Sequence, residues 1–148
     1  MSSDDVLTAL HGVLTDLATA EADVPDIARN ETLDDAFQAL DTGADAYGNM
    51  VDGDLSRTAE MLGGAEPYQM RQTALLELIV KASTDAERRA ALKAILSKVH
   101  LALEASTGSV ATWEITGLDR LDQSTDADPE AGGATVEITC EFSSDVPY

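Results

Sequence analysis

The run YQMRQTALLELIVKA (68–82), followed at once by TDAERRAALKAILSKVHLALEAS (84–106), decides the fold. In the first piece Ala74, Leu76, Leu78 and Val80 alternate with Leu75, Glu77, Ile79 and Lys81. Both faces of an extended chain are then at least partly apolar, the pattern of a central strand. In the second piece Thr84-Asp-Ala-Glu87 forms a capping box, and Ala91, Leu92, Ile95, Leu96, Val99 and Leu103 recur at helical spacing. A strand that feeds directly into an amphipathic helix predicts a sheet with that helix packed on it.

Toward the C-terminus, VATWEIT (110–116) places Ala111, Trp113 and Ile115 on one side. ATVEITCEF (134–142) alternates strictly, with Val136, Ile138, Cys140 and Phe142 against Thr135, Glu137, Thr139 and Glu141, as a half-buried strand requires. LDRLDQSTDADPEAGG (118–133) between them reads as a long hairpin connection with a solvated acidic tip near 122–133. Toward the N-terminus, Val6, Leu7, Leu10, Val13, Leu14 and Leu17 form one stripe, so a helix is expected from Asp4 to about Ala20, with Ser3, Asp4 and Asp5 at its positive end. The stretch from Glu21 to Gly64 is ambiguous. Thr32-Leu-Asp-Asp35 resembles a helix start, yet AFQALDT (36–42) also suits a short strand, and SRTAEML (56–62) can be read both ways. Strands are favoured for both, with 43–54, inside the acid- and glycine-rich stretch TGADAYGNMVDGD (42–54), as a mobile acidic loop. The expectation is a single α+β domain over 1–148: a largely antiparallel or mixed sheet of about four to five strands, with two main helices packed on one face.

The chain of 148 residues holds 28 Asp and Glu against 9 Lys and Arg, a net charge of −19. Lysine is scarce (Lys81, Lys93, Lys98), aspartate outnumbers glutamate 17 to 11, and aromatic side chains total six. Self-repulsion of this size destabilises a compact state in dilute solution, whereas at 1 M salt the screening length falls to about 3 Å. The composition therefore points to a protein adapted to a high-salt cytoplasm. Arg88, Arg89, Lys93 and Lys98 are the densest basic set and sit within surplus acid, which argues against wrapping a nucleic acid. The first residues lack the basic region of a signal peptide, and no apolar run approaches the roughly 20 residues of a membrane span.

Residues able to do chemistry are few. Cys140 is the only cysteine, which excludes an internal disulfide and a multi-thiolate metal site, and its place on an apolar face assigns it to the core. His11 and His100 each stand alone on a helix. DTGADAYGNMVD (41–52) fails as a calcium loop because Gly43 and Ala46 occupy the third and sixth positions. Asp122, Asp126, Asp128 and Glu130 could gather round a hard cation, although such clusters arise by chance in so acidic a chain. The phosphate-loop, dinucleotide, zinc-protease and serine-hydrolase motifs are all missing. No catalytic residue, cofactor or metal is assigned, and an enzyme is not expected.

Three linked pieces, MRQTALLELIVKAS (70–83) with the helix at 84–106, TGSVATWEITGLDRLD (107–122) and GGATVEITCEF (132–142), resemble the tail terminator (tail completion) proteins of long-tailed phages and their haloarchaeal virus relatives. The resemblance covers about half the chain, 68–148. It implies a structural virion protein, assembled in the host cytoplasm and placed at the tail–neck junction. Such proteins form a ring, usually a homo-hexamer, that caps the tail tube, ends its polymerisation and presents a surface to the neck or head-completion protein. DNA passes through the lumen without specific binding, which an acidic subunit tolerates. Tyr47, Met50, Tyr68 and Met70 are the large side chains nearest the two acidic loops and are the expected interface anchors, with ordinary core and boundary packing as the other reading, the favoured one for Met70. Another head–tail connector, or a halophilic acidic adaptor, are the alternative readings.

Overall fold

A computed structural model describes residues 1–32, 34, 35, 38, 43–59, 67–106, 111–121 and 131–146. Helix α1 (Ser3–Ala20) is followed by β1 (Ile27–Arg29), β2 (Ala46–Ala59), β3 (Tyr68–Lys81), helix α2 (Asp85–Ser106), β4 (Ala111–Leu121) and β5 (Ala131–Ser144). The strands form one mixed sheet in the order β1-β2-β3-β5-β4, with β1 parallel to β2 and every other pair antiparallel. The α+β architecture is the expected one, and β3 is its central strand.

Each helix starts on a reciprocal cap. Ser2 and Asp5 exchange side-chain-to-backbone bonds at the head of α1, so the cap lies one residue before the expected Ser3. Thr84 and Glu87 do the same for α2, as the sequence predicts. Both helices pack on one face of the sheet. Val6, Leu7, Leu10 and Leu14 from α1 and Leu92, Ile95, Val99 and Leu103 from α2 join Ala74, Leu76, Leu78 and Val80 of β3 and Val136, Ile138, Cys140 and Phe142 of β5 in a single core. The period-2 and period-3.6 stripes read from the sequence are the surfaces that meet there.

The stretch expected as a mobile loop is different: residues 46–54 belong to the fourteen-residue strand β2. Its inward positions do not read as core. Gly48 lies beneath Ile27, and Asp52 is bonded to Arg29 by Nε–Oδ1 and Nη2–Oδ2 contacts of 3.0 Å each. At Gly53 the register shifts and the backbone runs so close to β3 that a Cβ there would stand 2.5 Å from Thr73 Oγ1 and 2.7 Å from its carbonyl oxygen. Only glycine fits that approach. Residues 56–59 extend the same strand, in line with the strand reading of SRTAEML, whose remainder lies outside the described residues. Of the strand favoured at 36–42, only Gln38 is described, and it carries helical backbone, as do Asp34 and Asp35. Thr32 and Asp35 exchange capping bonds there, so the helix-start reading is the one that holds at this point.

Candidate functional site

With both helices on one side, alternation dictates what the other side of the sheet carries. From β3 come Arg71, Thr73, Leu75, Glu77 and Ile79; from β5, Thr135, Glu137, Thr139 and Glu141; from β4, Thr112, Glu114 and Thr116. Neither α1 nor α2 covers this face. A shallow depression of ≈ 400 Å³ lies between Arg71, Thr73, Thr112, Glu114, Thr116, Glu137, Thr139 and Glu141. Thr116 Oγ1 donates to Glu137 Oε1 at 2.8 Å and therefore accepts from the Thr139 hydroxyl, also at 2.8 Å. Arg71 Nη2 bonds Glu141 Oε1 at 2.6 Å, so the one cation in the depression is held by a carboxylate of the neighbouring strand. The depression is lined by hydroxyls and carboxylates, with no histidine, cysteine or lysine among them. It offers hydrogen bonds and attraction for cations.

At the β1 end of the sheet an arm crosses this face. Asn30 adopts a left-handed conformation (φ 56°), which asparagine tolerates, and turns the chain out of β1. Its side chain brackets Asp52, accepting from the Asp52 N–H and donating to the Asp52 carboxylate. Asn49, only 1% exposed, then holds the next residue: its Oδ1 accepts from the Glu31 N–H at 3.1 Å, and its Nδ2 donates to the Glu31 carbonyl at 3.0 Å and to Glu77 at 3.2 Å. Tyr47 packs against Ala28 and Ile79 beneath this arm and donates its hydroxyl to Glu31 at 2.7 Å. Burial first, and the Glu31 carboxylate second, push the Tyr47 phenol well above its ordinary pKa, so it stays a neutral donor. Under the arm on the helix side, Arg29 joins Asp52 to Asp4 and Thr8 of α1. Burial opposes ionisation of Asp52, but the Arg29 and Asn30 bonds outweigh it and hold the carboxyl below its usual range.

The four expected anchors do not share a surface. Met50 and Met70 are core residues, opposite Leu76 and Phe142 in the ladders and 0% and 2% exposed. They face the helices because strand parity, which proximity to a loop does not reveal, sets their side. Tyr47 is buried as well. Tyr68 alone is half-buried, with the Arg57 guanidinium 4.7 Å from its ring centroid. The arm, with Asn49 at its centre, was not legible, since its partners lie 18 and 28 residues from Asn49 along the chain and no local spacing links them.

The other singled-out groups have structural partners. His11 Nε2 lies 2.7 Å from the Ile27 carbonyl oxygen and fastens α1 to β1. His100 is exposed on α2 beside Glu104. Cys140 is buried, and desolvation pushes its thiol up to about 12, leaving almost no thiolate at neutral pH. Among the described residues no three His, Cys, Asp or Glu side chains are grouped to hold a metal; Asp122, Asp126, Asp128 and Glu130 lie outside them. No described helix is long and apolar enough to cross a membrane. Among the described residues, Arg29, Arg71, Arg88, Arg89 and Lys98 each pair with acid. No known protein family and no curated protein matches this chain.

Proposed function

We propose that the chain is a structural subunit of a tail terminator: a homo-hexameric ring at the tail–neck junction of a virion, which caps the tail tube, ends its polymerisation and joins the tail to the head. The observation that carries this reading is the sheet that, among the described residues, α1 and α2 clothe on one side, and whose other side bears Glu77, Glu114, Glu137 and Glu141 alongside Arg71, already paired, and Lys81 at the end of β3. Turned toward a lumen, such a face repels a passing phosphate backbone, since no free cluster of cations is there to displace its counterions. A ring closes through unlike surfaces, and this subunit presents unlike sheet edges, β1 with β2 on one side and β4 on the other. The surplus acid fits assembly in a high-salt cytoplasm.

In molar salt the native mass is expected to be about six times the 15.6 kDa of one chain, measured by light scattering or sedimentation. A mass of one chain at every concentration and salt overturns the ring. Virion genes for a tube protein and a tape-measure protein are expected beside this one, and a setting without them overturns the viral assignment.

A further inference from the structure

The sheet stops at two edges that match one another. β4 pairs with β5 alone, and β1 pairs only with residues 48–50 of β2, so beyond Asp52 the outer side of β2 has no strand beside it among the described residues. A free edge presents N–H and C=O groups that template further pairing, and proteins guard such edges with lysine, proline or bulges. Ala111–Ile115 of β4 runs in regular register before the shift at Gly117, and Leu55–Arg57 of β2 runs regularly between two shifts. Neither stretch contains lysine or proline.

The ladders put these two stretches at one level along the strands. Leu55 pairs with Gln72, Gln72 with Cys140 and Cys140 with Trp113; one step on, Ser56, Arg71, Glu141 and Thr112 line up, and then Arg57, Met70, Phe142 and Ala111. Three successive antiparallel pairings leave β4 antiparallel to β2. Rotation about an axis along the strands preserves their direction, so β4 of one copy meets β2 of the next antiparallel, with Thr112 level with Ser56 and the faces in phase. On the helix side Leu55 at one edge and Ala111 and Ile115 at the other are only partly buried, so the junction also covers apolar surface.

We infer that the sheet continues from copy to copy: the Ala111–Ile115 edge of one subunit pairs with the Leu55–Thr58 edge of the next. The inference takes its occupant, a second copy in a closed ring, from the function proposed above, and adds the surface that builds it. The test is a disulfide across the junction in Ser56→Cys/Thr112→Cys, with Ser56→Cys/Glu114→Cys and Thr58→Cys/Thr112→Cys allowing a two-residue stagger. Within one chain Ser56 and Thr112 are three strand spacings apart, roughly 14 Å, too far to bond. Cys140 is buried and does not compete.

In molar salt with oxidised glutathione as the oxidant, at least one double variant is expected to give a ladder of linked chains ending at the ring. A mixture of the corresponding single variants is expected to stop at dimers. A ring-sized mass without a bond in any double variant overturns the edge pairing and leaves the ring standing. Dimers from Thr112→Cys alone also overturn it, because β4 then meets β4. A single-chain mass throughout overturns both.

Discussion

Dialysed from molar salt into dilute buffer, the protein is expected to lose its fold. With 28 acids against 9 bases, the bases are too few to neutralise most of the carboxylates. A chain of this length folds to a radius of gyration of about 15 Å. At 0.01 M salt the screening length is roughly 30 Å, so every carboxylate feels the others across the whole domain; at 1 M it is about 3 Å and only neighbours interact. Salt also weakens the stabilising pairs, such as Lys98 with Glu21 and Asp23 between α2 and the end of α1. Those pairs are largely exposed and contribute little, so relief of repulsion wins. Far-UV circular dichroism is expected to show the loss beginning below a few hundred millimolar, where the screening length passes about 5 Å. Cooperative unfolding at an unchanged midpoint in dilute buffer sinks the high-salt adaptation.

Leu76→Ala is expected to destabilise the fold by about 2–5 kcal/mol, and Leu75→Ala, one residue away, by about 1 kcal/mol. Leu76 sits on the central strand between Met50 and Val136 with no exposed surface, beneath both helices. Truncating it removes apolar contact and leaves a cavity that strands paired on both sides cannot close. Leu75 points to the other face of the sheet and is only partly buried, so its truncation leaves no enclosed cavity. Urea or guanidinium melts in molar sodium chloride check the contrast. Equal losses at the two positions would mean that something clothes both faces of the sheet.

How much was legible follows from which positions carry an unbroken period. β3, α2 and the parts of β4 and β5 at 111–116 and 134–142 were legible because their inward side chains are almost all apolar and recur without interruption over at least five residues; 118–121 and 131–133, expected in the hairpin connection, instead prolong β4 and β5. The last strand also foretold the polar side of the bare face, since Thr135, Glu137, Thr139 and Glu141 could only be its outward set. β2 was not legible because its polarity is inverted at the helix-proximal end. Glycine and aspartate stand inward, where Ile27 crowds Gly48 and Arg29 neutralises Asp52, while Tyr47 stands outward and is buried by an arm arriving from residue 31. That burial depends on contacts 16 to 23 residues apart in the chain, which no local period encodes. The misplacement of Met50 has the same root: once 46–54 is taken as a loop, a methionine in it reads as exposed, and only the ladder opposite Leu76 assigns its side; Met70, opposite Phe142, takes the core place that its strand already favoured.

The measurement that bears most directly on the proposed role is the length of tail tubes grown with and without this protein. The tube protein that the proposal expects to be encoded beside this chain is polymerised in molar salt, this chain is added in increasing amounts, and the tubes are imaged by electron microscopy. The account predicts that tubes shorten as the ratio rises and that each stopped tube carries a ring at one end, never at both. Tubes of unchanged length with bare ends, at saturating amounts of folded protein, contradict it.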